Sequence, residues 1–249
     1  MYLYLFDAFL GKGKYKKTID KIETRITDLE ISGRIIKLTI LESIPEIIAD
    51  GLKKGVKTVV VVGNDKTLCQ AASALIGSDA SLGIIPVGEN NAMAEILGVP
   101  QEDLACEVIS ARLLENIDIG RINNNPFISS IEIDGHKVLL EHRGWKISPT
   151  SKINKIKILN LNKFFNKISR PQDGLMEVVL ESNKKTFWSF KQDTFMDSLF
   201  YLKKLKVTSP KDKKGLTVLV DGWRVLKTPL EIEILPQQTK MIVGRKRQF

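Results

Sequence analysis

Thr58-Val59-Val60-Val61-Val62 is an unbroken β-branched run closed by Gly63. Branching at Cβ stiffens the side chain and suits the crowded surface of a pleated sheet. A strand with no polar alternation has no face to give to water, so this one must be covered on both sides. Helices packed on both faces of a parallel sheet meet that condition, and the flanking sequence supplies them. Tyr2–Phe6 reads as a first strand. Ile19, Ile22, Ile26 and Leu29 follow at spacings of three and four, the period of a helix with one buried face, and Gly33 is placed to stop it. Ile35–Leu41 reads as a second strand. Ser43 and Glu46 have the form of a capping box, Pro45 suits a first helical turn, and Gly55 closes the segment. Thr67–Ile76 reads as a helix and Leu82–Val87 as a strand with Pro86 at its end. Ala92–Leu97 and Leu104–Leu114 read as helices. Strand–helix alternation over roughly 120 residues predicts an α/β domain on a parallel sheet.

The second half changes character. Phe127–Ile133, Asp134-Gly135 and Lys137–Glu141 form a hairpin pattern around an Asp-Gly turn. Lys152–Leu161, Met176–Leu180, Leu216–Val220 and Leu230–Leu235 also read as strands, which predicts an antiparallel β-sandwich. Asn123-Asn124-Asn125-Pro126 is the natural junction, giving domains 1–122 and 123–249, with the end of the chain free to return to the first. The Lys-rich stretch Lys203–Lys214 reads as a solvated loop.

Composition narrows the function classes. Lys+Arg number 38 against 29 Asp+Glu, a formal charge of +9, which suits anionic partners. Cys69 and Cys106 are the only cysteines and read as small buried residues, so no disulfide framework or Cys-rich zinc module can form. His136 and His142 are the only histidines, which excludes a multi-histidine metal site, and His136 reads as exposed. No apolar stretch reaches the ~18 residues of a spanning helix, and Met1–Phe6 lacks the basic lead-in of a secretory signal. The expected location is cytoplasmic, with peripheral contact at the inner membrane face. No aromatic-and-basic strand motif that stacks bases is present, so no specific nucleic acid is expected.

Common nucleotide motifs fail. A dinucleotide fingerprint has Gly11 and Gly13 but Lys16 in its third place, and Lys66-Thr67 follows Asp65 where a P-loop needs glycine. Two other turns remain, Gly63-Asn64-Asp65-Lys66-Thr67 and Gly88-Glu89-Asn90-Asn91-Ala92, each leaving a buried strand and opening a helix. Loops at the carboxyl ends of parallel strands line the ligand crevice, and helix starts there offer amides to phosphate. On spacing alone the ordinary strand-to-helix turn, frequent in any such sheet, is the better reading of both.

At these residues the chain resembles the diacylglycerol kinase catalytic-domain family, which includes bacterial lipid kinases and sphingosine and ceramide kinases, with NAD kinases as distant relatives. Leu82-Gly83-Ile84-Ile85-Pro86-Val87-Gly88 is similar to the family's Leu-Gly-Ile-Ile-Pro-x-Gly block. Leu97-Gly98-Val99-Pro100, Asp118-Ile119-Gly120-Arg121, Asp173-Gly174-Leu175-Met176-Glu177 and Asp221-Gly222 with Thr228-Pro229 resemble further blocks in the family's order. The resemblance implies an α/β domain and a β-sandwich with ATP between them, and transfer of the γ-phosphate to a lipid hydroxyl. It places Gly63, Asn64, Asp65, Lys66 and Thr67 over the nucleotide phosphates, joined by Thr39 at the end of the second strand and by Gly88, Glu89 and Asn91. Asp173 is implied as the carboxylate of a structural Mg2+, helped by backbone oxygens near Arg170 and Leu175. A lipid is the implied substrate, and a homodimer is allowed.

The departures are specific. Asn64 and Lys66 replace glycines, and a left-handed Lys66 would cost ~1–2 kcal/mol. Glu89 replaces a threonine and brings negative charge toward phosphate unless a metal or Lys66 offsets it. Ala92 replaces an aspartate, and Asp7-Ala8-Phe9-Leu10-Gly11 stands where the family has Asn-Pro-x-Ser-Gly. Trp223 occupies the place of the family's general-base glutamate, and indole accepts no proton from a hydroxyl. Asp65 or Asp221 would have to substitute as the catalytic carboxylate. Trp145 and Trp188 read as core rather than as lipid-pocket walls. Arg245-Lys246-Arg247 is a basic cluster that suits either solvent or anionic lipid.

Overall fold

The valine run lies where its composition requires, with every residue from Thr58 to Gly63 buried. The computed structural model describes residues 1–134, 138–148, 153–164, 167–185, 192–209 and 215–249. It divides the chain into two units, Met1–Ile117 with Gln237–Phe249, and Asp118–Pro236.

In the first unit, strands β1 (Tyr2–Phe6), β2 (Gly33–Lys37), β3 (Thr58–Gly63) and β4 (Ser81–Pro86) run parallel in the order β2-β1-β3-β4. Lys240 and Met241 extend the sheet in parallel opposite Ser81 and Leu82. Helices α1 (Lys16–Asp28), α2 (Ile44–Lys53), α3 (Asp65–Leu75), α4 (Ala92–Ile96) and α5 (Ala105–Ala111) cover it, with α2 against α3 and α1 against α5. Ser43 Oγ accepts from Glu46 N at 3.5 Å, so the expected cap opens α2. The chain moves from β1 outward to β2 and from β3 outward to β4. The order therefore reverses between β1 and β3, and at such a switch point two exit loops diverge and leave a crevice.

Several boundaries differ from expectation. Helix α1 stops at Asp28, and Gly33 opens β2 instead of ending the helix. Strand β2 ends at Lys37, short of Leu41; Ile40 and Leu41 lie in a solvent-exposed turn. Helix α5 ends at Ala111, where Arg112 turns left-handed at φ 49°, and Leu114 begins a strand, β5 (Leu114–Ile122). Ile117 and Ile119, both buried and two residues apart, keep the strand period just past the end of the expected helix.

The second unit is antiparallel. Its strands are β6 (Asn125–Phe127), β7 (Ser130–Asp134), β8 (Leu139–His142), β9 (Trp145–Ile147), β10 (Ile153–Leu159), β11 (Lys163–Phe164), β12 (Lys167–Ile168), β13 (Met176–Lys185), β14 (Gln192–Leu202), β15 (Lys204–Thr208), β16 (Thr217–Val220), β17 (Arg224–Lys227) and β18 (Leu230–Ile242). One sheet runs β14-β13-β10-β7-β16-β17. Opposite it, β18 pairs with β15, β15 with β8 and β8 with β9, while β5 and β6 form a hairpin. Ile131, Ile133, Ile156, Val178, Leu140, Leu205, Val207 and Ile232 pack between them. This is the antiparallel sandwich that the sequence predicts. Gly120 faces the Phe127 ring so closely that a Cβ would sit 2.0 Å from Cε1.

The expected hairpin around Asp134-Gly135 does not form: β7 pairs with β10 and β16, whereas β8 pairs with β15 and β9. Alternation shows which residues face the core, not which strand is the neighbour, and sandwich strands can switch sheets at a corner. Lys204–Thr208 is a strand rather than a loop, with Leu205 and Val207 inward and the lysines outward. Trp145 is 75% exposed on β9 and is not core. His136, Trp188 and Pro210–Lys214 lie outside the described residues. Among the described residues no helix is long and apolar enough to cross a membrane.

Candidate functional site

The exit loops of β1, β3 and β4 are tied together by their own side chains. Asn64 precedes α3, and its Oδ1 accepts from Lys66 N at 3.2 Å and Thr67 N at 3.5 Å. Asp65 stands in the first turn of α3, but its carboxylate reaches α4, accepting from Met93 N at 3.1 Å and 3.3 Å. The Asp65 amide returns the link by donating to Asn90 O at 3.0 Å. Burial pushes the Asp65 carboxyl up to about 6, against the opposing pull of the Met93, Ala92 and Ala94 amides. Across the switch point, Thr67 Oγ1 donates to Asp7 Oδ2, and Asp7 also accepts from Phe9 N at 3.1 Å. Gly63 permits this approach, since a Cβ there would sit 2.7 Å from Asp7 Cβ. Gly88 is left-handed at φ 75° beneath Phe9 and Tyr15; an added Cβ would lie 3.1 Å from the Tyr15 hydroxyl. Asn91 Nδ2 donates to Gly88 O at 3.0 Å, and Glu89 points to solvent.

The structure thus brings Gly63, Asn64, Asp65, Lys66 and Thr67 together with Gly88, Glu89 and Asn91. Thr39 lies beyond β2, where its amide donates to Glu42 Oε2 at 2.6 Å. Lys66 sits inside the first turn of α3 and is absent from the left-handed residues, so the expected steric cost does not arise. Asp7 and Tyr15 were not legible as partners, because nothing in their spacing shows that the β1 loop folds over the β3 exit.

A second polar cluster lies in the other unit. Asp221, left-handed at φ 50°, accepts from the amides of Ser129 at 2.8 Å and of Ile128 and Ser130 at 3.2 Å. Burial raises its carboxyl above the usual range even though these amides favour the charge. Asn160 Nδ2 joins that loop to the next, donating to Ile128 O at 2.9 Å and Asp118 O at 2.8 Å. Asp118 is fully buried; its Oδ2 accepts from Gly174 N at 2.7 Å, and its amide donates to Pro171 O at 2.7 Å. Asp173 Oδ1 accepts from Leu175 N at 2.9 Å. Arg170 N donates to Glu177 Oε1 at 3.3 Å, while Glu177 Oε2 is buried without a hydrogen-bond partner. Arg170, Asp173 and Leu175 therefore lie on one turn, with Glu177 behind it. Glu177 and Asp118 were overlooked as site residues; the sign available was a carboxyl at an inward strand position, which demands a compensating partner.

Burial and the nearby Asp173 carboxylate push Glu177 up to about 7. A carboxyl raised in the folded state is penalised when ionised. The penalty is absent below its ordinary value near 4.5 and complete above about 7. Glu177→Gln is therefore expected to raise stability by on the order of 2 kcal/mol at pH 8 and by almost nothing at pH 4.5. Thermal melts across that range check this.

A parallel sheet whose exit loops gather at a switch point is the scaffold of α/β proteins that bind phosphorylated ligands. Residues 2–122 match the family model of the diacylglycerol kinase catalytic domain. A diacylglycerol kinase of Mycobacterium tuberculosis (strain CDC 1551 / Oshkosh) is 35% identical over 81 residues, covering 32% of this chain and 26% of the relative. A probable lipid kinase YegS-like of Klebsiella pneumoniae (strain 342) is 40% identical over 81 residues, covering 31% and 27%. The matched stretch is thus about a quarter of each relative's length. A diacylglycerol kinase crystal structure from Bacillus anthracis str. Sterne has the same fold, with TM-score 0.79 and 19% identity over 99% of this chain and 98% of that one.

Proposed function

We propose that this chain is an ATP-dependent lipid kinase-like phosphotransferase that moves a γ-phosphate to a lipid hydroxyl. The observation that carries the reading is the union of the β3 and β4 exit loops through Asp65, at the carboxyl edge of the parallel sheet, where such folds take their ligands. In this reading Lys66, exposed in the first turn of α3, supplies the cation for the phosphates, and Gly63 and Gly88 keep the backbone close. Phosphoryl transfer depends chiefly on positioning and charge stabilisation, so the tryptophan at 223 need not abolish it.

Mg2+ favours hard oxygen ligands and keeps several waters. The turn of Arg170, Asp173 and Leu175 offers one exposed carboxylate with backbone oxygens, and the buried Glu177 Oε2 adds an unanswered acceptor beside it. Those donors fit a magnesium ion, which would supply positive charge that fixes the turn. Among the described residues no group of three or more His, Cys, Asp or Glu side chains forms a metal cage, so such an ion would rely on backbone and water oxygens.

A non-catalytic nucleotide- or anion-binding descendant is the second reading. It is favoured by Asn64 and Asp65, which already answer the amides opening α3 and α4, and by Thr67, whose hydroxyl is given to Asp7. Purified protein with labelled ATP, Mg2+ and a total lipid extract distinguishes the two. A labelled lipid that depends on Asp65 is the expected result. A nucleotide-induced rise in melting temperature with no labelled product across a broad acceptor panel would establish the second reading instead.

A further inference from the structure

A groove of about 720 Å3 lies in the first unit between α5, the start of β5 and the tail that follows β18. That volume is within the usual range of small-molecule sites. Val108, Ala111, Leu113, Leu114 and Val243 supply its apolar wall. Leu113 is 39% and Leu114 41% exposed, so this wall meets water over its length. The floor is backbone and is fixed. Val243 N donates to Leu113 O at 2.9 Å, and Gly244 N to Leu97 O at 2.8 Å. Gly98 lets the tail cross it, since a Cβ there would sit 2.4 Å from Arg247 N.

The charges at the rim indicate what fills the groove. Arg112, Arg245 and Lys246 line it and are exposed. Among the described residues none of the three forms an ion pair. The one carboxylate in the lining, Glu107, is already answered by Arg25. Just beyond, Arg247 is held by Glu115 at 2.6 Å, so the neighbouring acid is answered as well. Arg112 also occupies the left-handed region at φ 49°, which a side chain enters at a cost. A neutral apolar ligand would leave three cations without a counter-charge, and a bare anion would leave the wall wet. A flat bilayer would not reach a concave floor. The combination suits one chain with one charged end.

We propose that this groove binds a single-chain amphiphilic anion, its chain along α5 and its carboxylate or phosphate head among Arg112, Arg245 and Lys246. The inference goes beyond the lipid-kinase reading and stands without it. The tail that floors the groove also holds the end of α4, where Gln248 N donates to Ile96 O at 2.9 Å. Asp65 holds the start of the same helix. A bound chain therefore steadies α4 from the end opposite the exit loops.

Calorimetric titration of the full chain tests this with decanoate, decyl phosphate, decanol and inorganic phosphate, each kept below micelle formation. Decanoate and decyl phosphate are expected to bind, and the tighter of the two identifies the head. Decanol should bind about tenfold more weakly, and inorganic phosphate about a hundredfold more weakly. Shortening the chain should cost about threefold for each methylene. Decanoate should slow amide exchange at Val243 and Gly244. Leu113→Ser/Leu114→Ser should weaken every chain-bearing probe by about tenfold, whereas Arg245→Glu/Lys246→Glu should bring decanoate down to the level of decanol. Arg112→Gly suits the left-handed turn, so it should melt no lower than the wild type while weakening only the anions, by about threefold. Decanol binding as tightly as decanoate overturns the proposal, as does unchanged decanoate binding by Leu113→Ser/Leu114→Ser. So does a dimer on sedimentation velocity that this variant splits while no probe binds, which would assign the groove to a second copy.

Discussion

An Asp65→Ala variant is expected to lose phosphoryl transfer by about a hundredfold or more while staying folded. The carboxylate is the link by which the start of α3 holds the start of α4 through Met93 N. Without it the two exit loops lose their common anchor, and a displacement of about 1 Å is enough to cost that factor. Asp65→Asn separates two roles. It keeps an oxygen for Met93 and removes the negative charge, so a positioning role predicts near-normal rates. A proton-accepting role predicts a loss as deep as that of alanine. Initial rates with labelled ATP, read beside amide exchange at Ala92–Ala94, decide between them. Asp65→Ala at the wild-type rate would remove this residue from the machinery altogether.

Asp221→Ala should give the largest stability loss, about 3–5 kcal/mol, seen as a lower midpoint in urea. One buried carboxylate serves the amides of Ile128, Ser129 and Ser130. Alanine leaves those donors in a dry environment with no acceptor. Asparagine should cost far less, because Oδ1 alone accepts from all of them. It also escapes the burial penalty that raises the aspartate's pKa. Asp221→Asn that is stable yet inactive would support the general-base substitute expected for the position beside Trp223. Stable and active, it would make Asp221 a purely structural clasp, which its commitment to backbone amides favours.

Much of the first unit was readable because burial writes itself into residue type. The valines of β3, the spaced isoleucines of α1 and the Ser43 cap each carry a local cause that no distant contact has to supply. The exit loops were readable for the same reason: Gly63 and Gly88 mark backbone that side chains cannot crowd. What escaped was pairing. Strand β7 alternates as expected but finds β10 and β16 rather than β8, since alternation fixes a face and leaves the neighbour open. Lysine content hid β15, although its inward Leu205 and Val207 keep the strand period. Roles that depend on two distant segments, such as Asp7 with Thr67, have no local sign at all.

The first unit is finished by residues that follow the whole of the second in sequence. Lys240 and Met241 flank β4, and Gly244 passes so close to Gly98 that a Cβ would sit 1.9 Å from its carbonyl oxygen. During synthesis the β4 edge therefore lacks this neighbour until the ribosome has passed the second unit, a template for wrong pairing in the meantime. Vectorial folding of this protein is thus not domain by domain: its nascent N-terminal half must wait, and chaperone dependence should track that delay.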